Sequence, residues 1–163
     1  MSAPAPVALC AAVGVSVLLL VGGCGGGGQT AVRNGDDAVR YVDDIVHGKS
    51  AVDDFKVADN ATPVAEAAVA DAEPLTAFQQ AVEQAPDQIC TIAGLISDVG
   101  GAVPGSVDPV VLDTPQLMYI SFEASAAGVP NDLTTRVLSA ARDMSQITLV
   151  TATDKACDVA AGL

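Results

Sequence analysis

The single histidine of the chain follows two aspartates at a spacing that suits metal binding. Asp43 and Asp44 lie four and three residues before His47, so the three side chains would share one face of a helix. Divalent transition metals bind imidazole and carboxylate groups of this kind. A solvated polar face, on which Arg40 offsets part of the negative charge, is the alternative interpretation. We favour this alternative and expect no cofactor, and we keep Asp43, Asp44 and His47 as the candidates for a metal site.

Residue types that serve in catalysis are present, but they do not form a recognisable pattern. A Ser-His-Asp triad would have His47 as its single base, and the sequence contains no G-x-S-x-G turn. The glycines of residues 25–28 follow an apolar segment rather than a strand, which argues against a phosphate-binding loop. The 20 Asp and Glu residues offer many carboxylate pairs, and their spacing singles out none. We therefore expect a protein that is not an enzyme.

Cys24 offers a third kind of chemistry, because this thiol lies between an apolar run and four glycines. Residues 7–21 are too short to cross a bilayer, which takes roughly 20 apolar residues, and they suit the hydrophobic region of a signal peptide. Residues 21–24, with the sequence VGGC, resemble the lipobox of bacterial lipoproteins. The resemblance implies that the thiol of Cys24 receives a diacylglyceryl group and that the chain is cut before it. An uncleaved membrane anchor is the alternative.

The lipoprotein resemblance also implies a cellular location for the protein and a division of the chain into three segments. Residues 1–23 would be the cleaved signal peptide, and residues 24–34 the lipidated cysteine with a flexible glycine-rich tether. Residues 35–163 would then form a single helical domain. Acyl chains on Cys24 would hold this domain at the exported face of the cell membrane, since more than one chain gives stable anchoring.

Two further cysteines point to a disulfide. Cleavage before Cys24 would remove Cys10 and leave Cys90 and Cys157 as the remaining thiols. Exported proteins meet an oxidising environment, in which such a pair forms a disulfide. Two unpaired buried cysteines are the alternative, and two cysteines alone do not complete a metal site.

The chain is strongly acidic, with 20 Asp and Glu against 7 Lys and Arg and a net charge of −13. Phosphate groups repel such a surface, so we exclude nucleic acid as a partner. Residues 36–73 are the most acidic stretch, with ten Asp and Glu against three Lys and Arg. This stretch would attract a cationic partner or simply form a solvated face.

Helices are predicted for the whole body of the protein. Residues 36–47 show the clearest amphipathic pattern, with apolar side chains on one arc and acidic ones on the other. Helix-start signals follow at Thr62-Pro63, Pro86-Asp87, Thr114-Pro115 and Asn131, and Pro74 is expected to kink or split the second helix.

Three other segments are less regular in sequence. Residues 50–60 form a short segment with Val52, Phe55 and Val57 or Ala58 inward, and residues 102–113 form a long irregular connection. Residues 117–124, LMYISFEA, would also suit a strand, but their length and flanking caps favour a buried helix. The β-branched residues between positions 146 and 153 favour a break in the last helix.

These elements predict an all-α protein, a compact bundle of four to six helices. Its expected function is that of a non-catalytic interaction module at the cell envelope, with an envelope protein as a partner. The acidic face of the first helix or residues 102–113 would provide the contact surface. The alternative is a lipoprotein that binds a small hydrophobic ligand in a pocket between helices, which the flexible Met118 and Met144 would permit.

Overall fold

The computed structural model describes residues 28–100 and 102–163, so the predicted signal peptide and Cys24 lie outside the described residues. The described part contains seven α-helices and one two-stranded sheet. In chain order the elements are β1 (Thr30–Val32), α1 (Gly35–Val46), β2 (Phe55–Val57), α2 (Pro63–Ala70), α3 (Ala72–Gln84), α4 (Pro86–Gly100), α5 (Thr114–Ala126), α6 (Asn131–Arg142) and α7 (Gln146–Ala161), with a short 3₁₀ helix (Val52–Asp54) before β2.

The all-α class is confirmed, although the described part of the chain has seven helices where four to six were expected. Asp71 separates α2 from α3, and Pro74 lies in the first turn of α3, where a missing N–H is tolerated. Residues 143–145 separate α6 from α7, whereas the sequence predicted a break between positions 146 and 153. That stretch stays helical because its threonines are mostly buried, and the hydroxyl of Thr151 donates to the carbonyl of Ile147 at 2.9 Å.

The folded body begins earlier in the chain than expected. β1 and β2 pair in parallel, with Thr30 opposite Phe55 and Val32 opposite Val57. Val32 is buried, and the side chain of Asn34 accepts a hydrogen bond from the Asp37 N–H at 3.0 Å, which caps α1. The flexible tether predicted for residues 24–34 is therefore too long, because the segment from Thr30 onward is part of the fold. In β2 only Phe55 faces the core, and Val57 is exposed.

The last helix occupies the centre of the bundle. α7 packs mainly against α4 and α1 and also contacts α2 and α3. β1 contacts β2, α1 and α2, whereas the principal contacts of α5 are with α4 and α6. β1 and α5 share none of these principal contacts, so they are not close neighbours in the body.

The predicted disulfide between Cys90 and Cys157 is confirmed. It joins α4 to α7, with 4.8 Å between the two Cα atoms and a sequence separation of 67. The bond therefore fixes the last helix to a neighbour with which it shares its largest packing surface.

Candidate interaction surface

The structure brings two of the three metal candidates together and surrounds them with cations. One carboxylate oxygen of Asp43, Oδ1, lies 3.1 Å from Nδ1 of His47 and 3.5 Å from Nζ of Lys155. The other oxygen, Oδ2, lies 3.3 Å from Nζ of Lys49. Asp44 takes no part in this cluster through its side chain. Two lysines beside the carboxylate would oppose a bound metal ion, and the described residues hold no group of three or more His, Cys, Asp or Glu suited to one.

The cluster around Asp43 stabilises the fold instead. Burial alone would raise the pKa of Asp43, but the hydrogen bond from Lys49 and the charges of Lys155, Lys49 and His47 hold it below its ordinary value. Lys155 belongs to α7 and also pairs with Asp158 at 3.6 Å. The acidic face of α1, which was expected to offer a contact surface, is therefore partly neutralised and tied to the last helix.

The outward side of α5 is unusually apolar. Residues 117–124 are helical as predicted, but the expected burial is wrong for the largest side chains. Ile120 and Ala124 are the fully buried residues, whereas Met118, Tyr119 and Phe122 expose 68%, 48% and 70% of their surface. The helix packs its smaller apolar residues inward because contact with α4 and α6 decides which side is covered.

The exposed apolar residues form a continuous line along the helix. Successive residues of an α-helix lie about 100° apart around its axis. On this wheel, five exposed apolar residues of α5 fall within an arc about 100° wide. We call this set the α5 stripe: Pro115, Met118, Tyr119, Phe122 and Ala126, all exposed. Ser121 and Ser125 lie along one edge, and Gln116 and Glu123 lie along the other. Glu123 is the single charged residue of α5, so the stripe itself carries no charge.

The area of the α5 stripe is that of a functional patch. With about 200 Å² for a large side chain, the exposed fractions of Met118, Tyr119 and Phe122 leave roughly 370 Å² in water. The largest apolar patch of a typical monomer covers about 300–600 Å² and often serves in binding. One helix therefore supplies a patch of that size.

Caps at both ends hold the α5 stripe in a fixed orientation. The carboxylate of Asp113 accepts from the backbone N–H of Gln116 at 2.9 Å, and the side-chain oxygen Oε1 of Gln116 accepts from the backbone N–H of Asp113 at 2.8 Å. Asp113 rather than Thr114 is thus the N-cap. The amide of Gln116 also donates to the carbonyl of Val99 in α4 at 2.6 Å. At the other end Gly128 adopts a φ of 84°, which suits the turn after a helix.

Residues 102–113 form the irregular connection that the sequence predicted. Backbone hydrogen bonds fix this loop on the junction between α6 and α7, including Val110 N–H to the Met144 carbonyl at 3.0 Å and Gln146 N–H to the Asp108 carbonyl at 2.9 Å. Val111 is exposed, as are two further valines of the loop. The loop therefore adds apolar surface near the start of α5.

A buried polar network links the break between α2 and α3 to the break between α6 and α7. No local pattern in the sequence predicted this network. Oδ2 of Asp71 accepts hydrogen bonds from the backbone N–H of Ser145, at 2.9 Å, and from its hydroxyl. The Ser145 hydroxyl lies 3.1 Å from that of Thr148. Burial, and secondly the charge of Asp71, raises the pKa of Tyr41 to about 12. The Asp71 carboxylate thus caps the N-terminus of α7 from another part of the chain.

The cleft between α5 and α6 does not resemble a pocket for a hydrophobic ligand. The cleft between α5 and α6 has a volume of about 620 Å³, and four of the residues around it are polar and exposed: Thr135, Ser139, Arg142 and Asp143. Met118 is exposed on α5 and Met144 is buried in the core, so neither opens a cavity between helices. No observation on the described residues therefore favours the pocket hypothesis.

Together these observations define a disulfide-bonded all-α bundle with one exposed apolar helix face. Comparisons with models of protein families, with curated proteins and with solved structures found no significant match for this chain. Within the described residues, no helix has both the length and the apolar composition needed to cross a membrane. The predicted lipidation site, Cys24, lies outside the described residues.

Proposed function

We propose that this chain is an exported, lipid-anchored interaction module of the cell envelope that has no catalytic activity. The α5 stripe carries the proposal. Its large side chains contribute little to the core, yet the helix is capped at both ends and held with these side chains in water. A rigid apolar surface of this size is typical of a site that a partner covers.

Support for the anchor comes from the N-terminal sequence. Residues 7–21 suit a signal peptide, and residues 21–24 resemble a lipobox. Since the fold includes Thr30, only residues 25–29 would separate the lipidated Cys24 from the body. A flexible segment of this length typically spans roughly 13 Å. The lipid would therefore keep the body close to the membrane face.

Support for export comes from the disulfide. Cys90 and Cys157 are bonded within the fold, and such bonds persist mainly outside the reducing cytosol. With Cys10 in the cleaved segment and Cys24 lipidated, the mature chain would contain no free thiol. The cysteine content of the chain thus agrees with the proposed route.

The direction of the α5 stripe favours a protein partner over the anchoring membrane. The tether would leave the body next to β1, and the principal neighbours of α5, which are α4 and α6, differ from those of β1. A body of this length has a radius of gyration of about 14 Å, so a tether of roughly 13 Å does not reach around it. The stripe would therefore lie away from the point where the tether leaves the body.

Metabolic labelling with palmitate tests the anchor. We expect label in the wild-type chain and in a Cys10→Ala control, and none in a Cys24→Ala variant. The intact mass of the membrane-extracted chain should match a polypeptide that starts at Cys24, carries acyl groups and lacks two hydrogens for the disulfide. Equal labelling of the Cys24→Ala variant would refute the proposed anchor.

A further inference from the structure

We infer that the cleft beside Asp71 binds a primary ammonium group, which a small alkyl amine or a lysine side chain would supply. The cleft has a volume of about 250 Å³ and lies where α2, residues 102–113 and the junction between α6 and α7 meet. No residue of the α5 stripe lines it. The inference therefore goes beyond the proposed function and does not depend on it.

The carboxylate of Asp71 is the feature that points to a cation. Asp71 lines the cleft and exposes only 8% of its surface. Oδ2 accepts both hydrogen bonds from Ser145, whereas Oδ1 has no hydrogen-bond partner among the described residues. No ion pair within this part of the chain includes Asp71. The N-terminus of α7 supplies about half a unit of positive charge, so the buried carboxylate lacks a full counter-charge.

The other charged side chains of the cleft leave its total charge negative. Arg142 and Asp143 also line it, so two carboxylates face one guanidinium, with a net charge of −1. A single bound cation would bring this sum to zero. An anion would instead meet a buried carboxylate, whose charge water screens only weakly.

The hydrogen bonds of Asp71 favour an ammonium group over other cations. A guanidinium pairs best with both oxygens of a carboxylate at once, and Ser145 already occupies Oδ2. An ammonium group is a compact point charge, for which one free oxygen is enough. Calcium and magnesium take about six or more oxygen ligands, and the described residues hold no group of three or more metal-binding side chains.

The walls of the cleft suit a short alkyl chain. Ala67, Val107, Pro109 and Met144 are apolar and line the cleft together with Asp71. Ligand pockets usually enclose about 300–1,000 Å³, so a cleft of about 250 Å³ takes only the end of a larger ligand. A lysine side chain and a small alkyl amine both have a charged head on an apolar stem, which matches this arrangement.

A nuclear magnetic resonance titration tests the inference. The isotope-labelled full-length chain, extracted in a neutral detergent, is titrated with butylammonium chloride at neutral pH. The backbone N–H of Ser145, which bonds to Asp71, is the reporter. We expect its signal to shift with a dissociation constant on the order of 1–10 mM, as for a ligand of few atoms. Potassium chloride at equal ionic strength and uncharged butanol should cause no such shift, and a similar shift with either would overturn the inference.

Two variants test the cleft itself. Asp71→Asn keeps an oxygen that can accept from Ser145 but removes the charge, so the dissociation constant should rise at least about tenfold. Ala67→Leu fills the cleft without changing the carboxylate and should weaken binding similarly. The matched control Glu66→Gln removes one charge from an exposed position of α2 outside the cleft and should leave the affinity unchanged.

Circular dichroism identifies the variants that fold. Unchanged affinity in a folded Asp71→Asn variant would overturn the inference. If Asp71→Asn does not fold, unchanged affinity in Ala67→Leu would overturn it instead.

A blocked tripeptide with a central lysine distinguishes the two sources of the ammonium group. Tighter binding of this peptide than of butylammonium would assign the cleft to a lysine side chain of a partner protein. Tighter binding of butylammonium would assign it to a free amine. If neither compound shifts the Ser145 signal, the cleft is not an ammonium site.

Discussion

Replacing Asp71 by alanine should destabilise the fold strongly, because the Asp71 carboxylate joins the break between α2 and α3 to the break between α6 and α7. Oδ2 of Asp71 accepts from the backbone N–H and from the hydroxyl of Ser145, and all of these groups are buried. A hydrogen bond to a charged group contributes about 1.5–3 kcal/mol, and a buried donor without a partner costs about 1–3 kcal/mol. The Ser145 hydroxyl can still turn to Thr148, 3.1 Å away. We therefore expect the free energy of unfolding to fall by about 3 kcal/mol in Asp71→Ala.

Urea denaturation followed by far-ultraviolet circular dichroism measures this change. Ser145→Ala keeps the backbone N–H bond to Asp71 and removes only the hydroxyl, so its expected loss is about 1.5 kcal/mol, the lower end of the range for a hydrogen bond to a charged group. Asp59→Ala, at an exposed position, is the matched control and should stay within about 0.5 kcal/mol of the wild type. Absorbance titration should also show that the pKa of Tyr41 falls below about 12 in Asp71→Ala, since the charge of Asp71 is its second cause. An Asp71→Ala variant that is as stable as Ser145→Ala, or more stable, would refute the proposed role of the Asp71 carboxylate.

Two other perturbations have defined outcomes. The double variant Cys90→Ser/Cys157→Ser should lose up to about 4 kcal/mol of unfolding free energy, from the closed loop with a sequence separation of 67. The reduced wild type should match the variant in stability, and a variant as stable as the oxidised wild type would contradict this prediction. Asp43→Asn should alter how the free energy of unfolding depends on pH. Because Lys49 and Lys155 hold the folded pKa of Asp43 below 3.8, its contribution is present above pH 3.8 and is lost as the pH falls through the folded pKa. The difference in stability between wild type and Asp43→Asn should therefore narrow as the pH falls below 3.8, and a constant difference would rule out this linkage.

Local signals predicted where most helices begin. Thr62 and Pro63 start α2 and Pro86 starts α4, because caps and prolines act on the residues beside them. Asn131 is the first residue of α6 as expected, but Pro130 rather than Asn131 is the N-cap. The alternation of apolar and acidic residues in α1 likewise predicted its buried face. The disulfide followed from the number of cysteines that an exported chain would retain. These features depend on few residues, so a single sequence contains them.

Features set by distant parts of the chain could not be predicted. Met118, Tyr119 and Phe122 were expected inside on hydrophobicity alone, but packing of α4 and α6 against Ile120 and Ala124 decides the orientation of α5. The bond from Ser145 to Asp71 joins positions 74 residues apart. The strand β1 is short and pairs with a segment that the sequence did not mark as a strand. The candidate surface therefore emerged from tertiary contacts, whereas the proposed anchor emerged from the sequence.

The central position of α7 also determines when the protein can fold. Helices α1 and α4 both pack against α7, so their shared core cannot close until residues 146–161 are available. Partial chains would expose the inner sides of both helices and would lack the partner thiol of Cys90. A variant truncated before Gln146 should therefore fail to form this core.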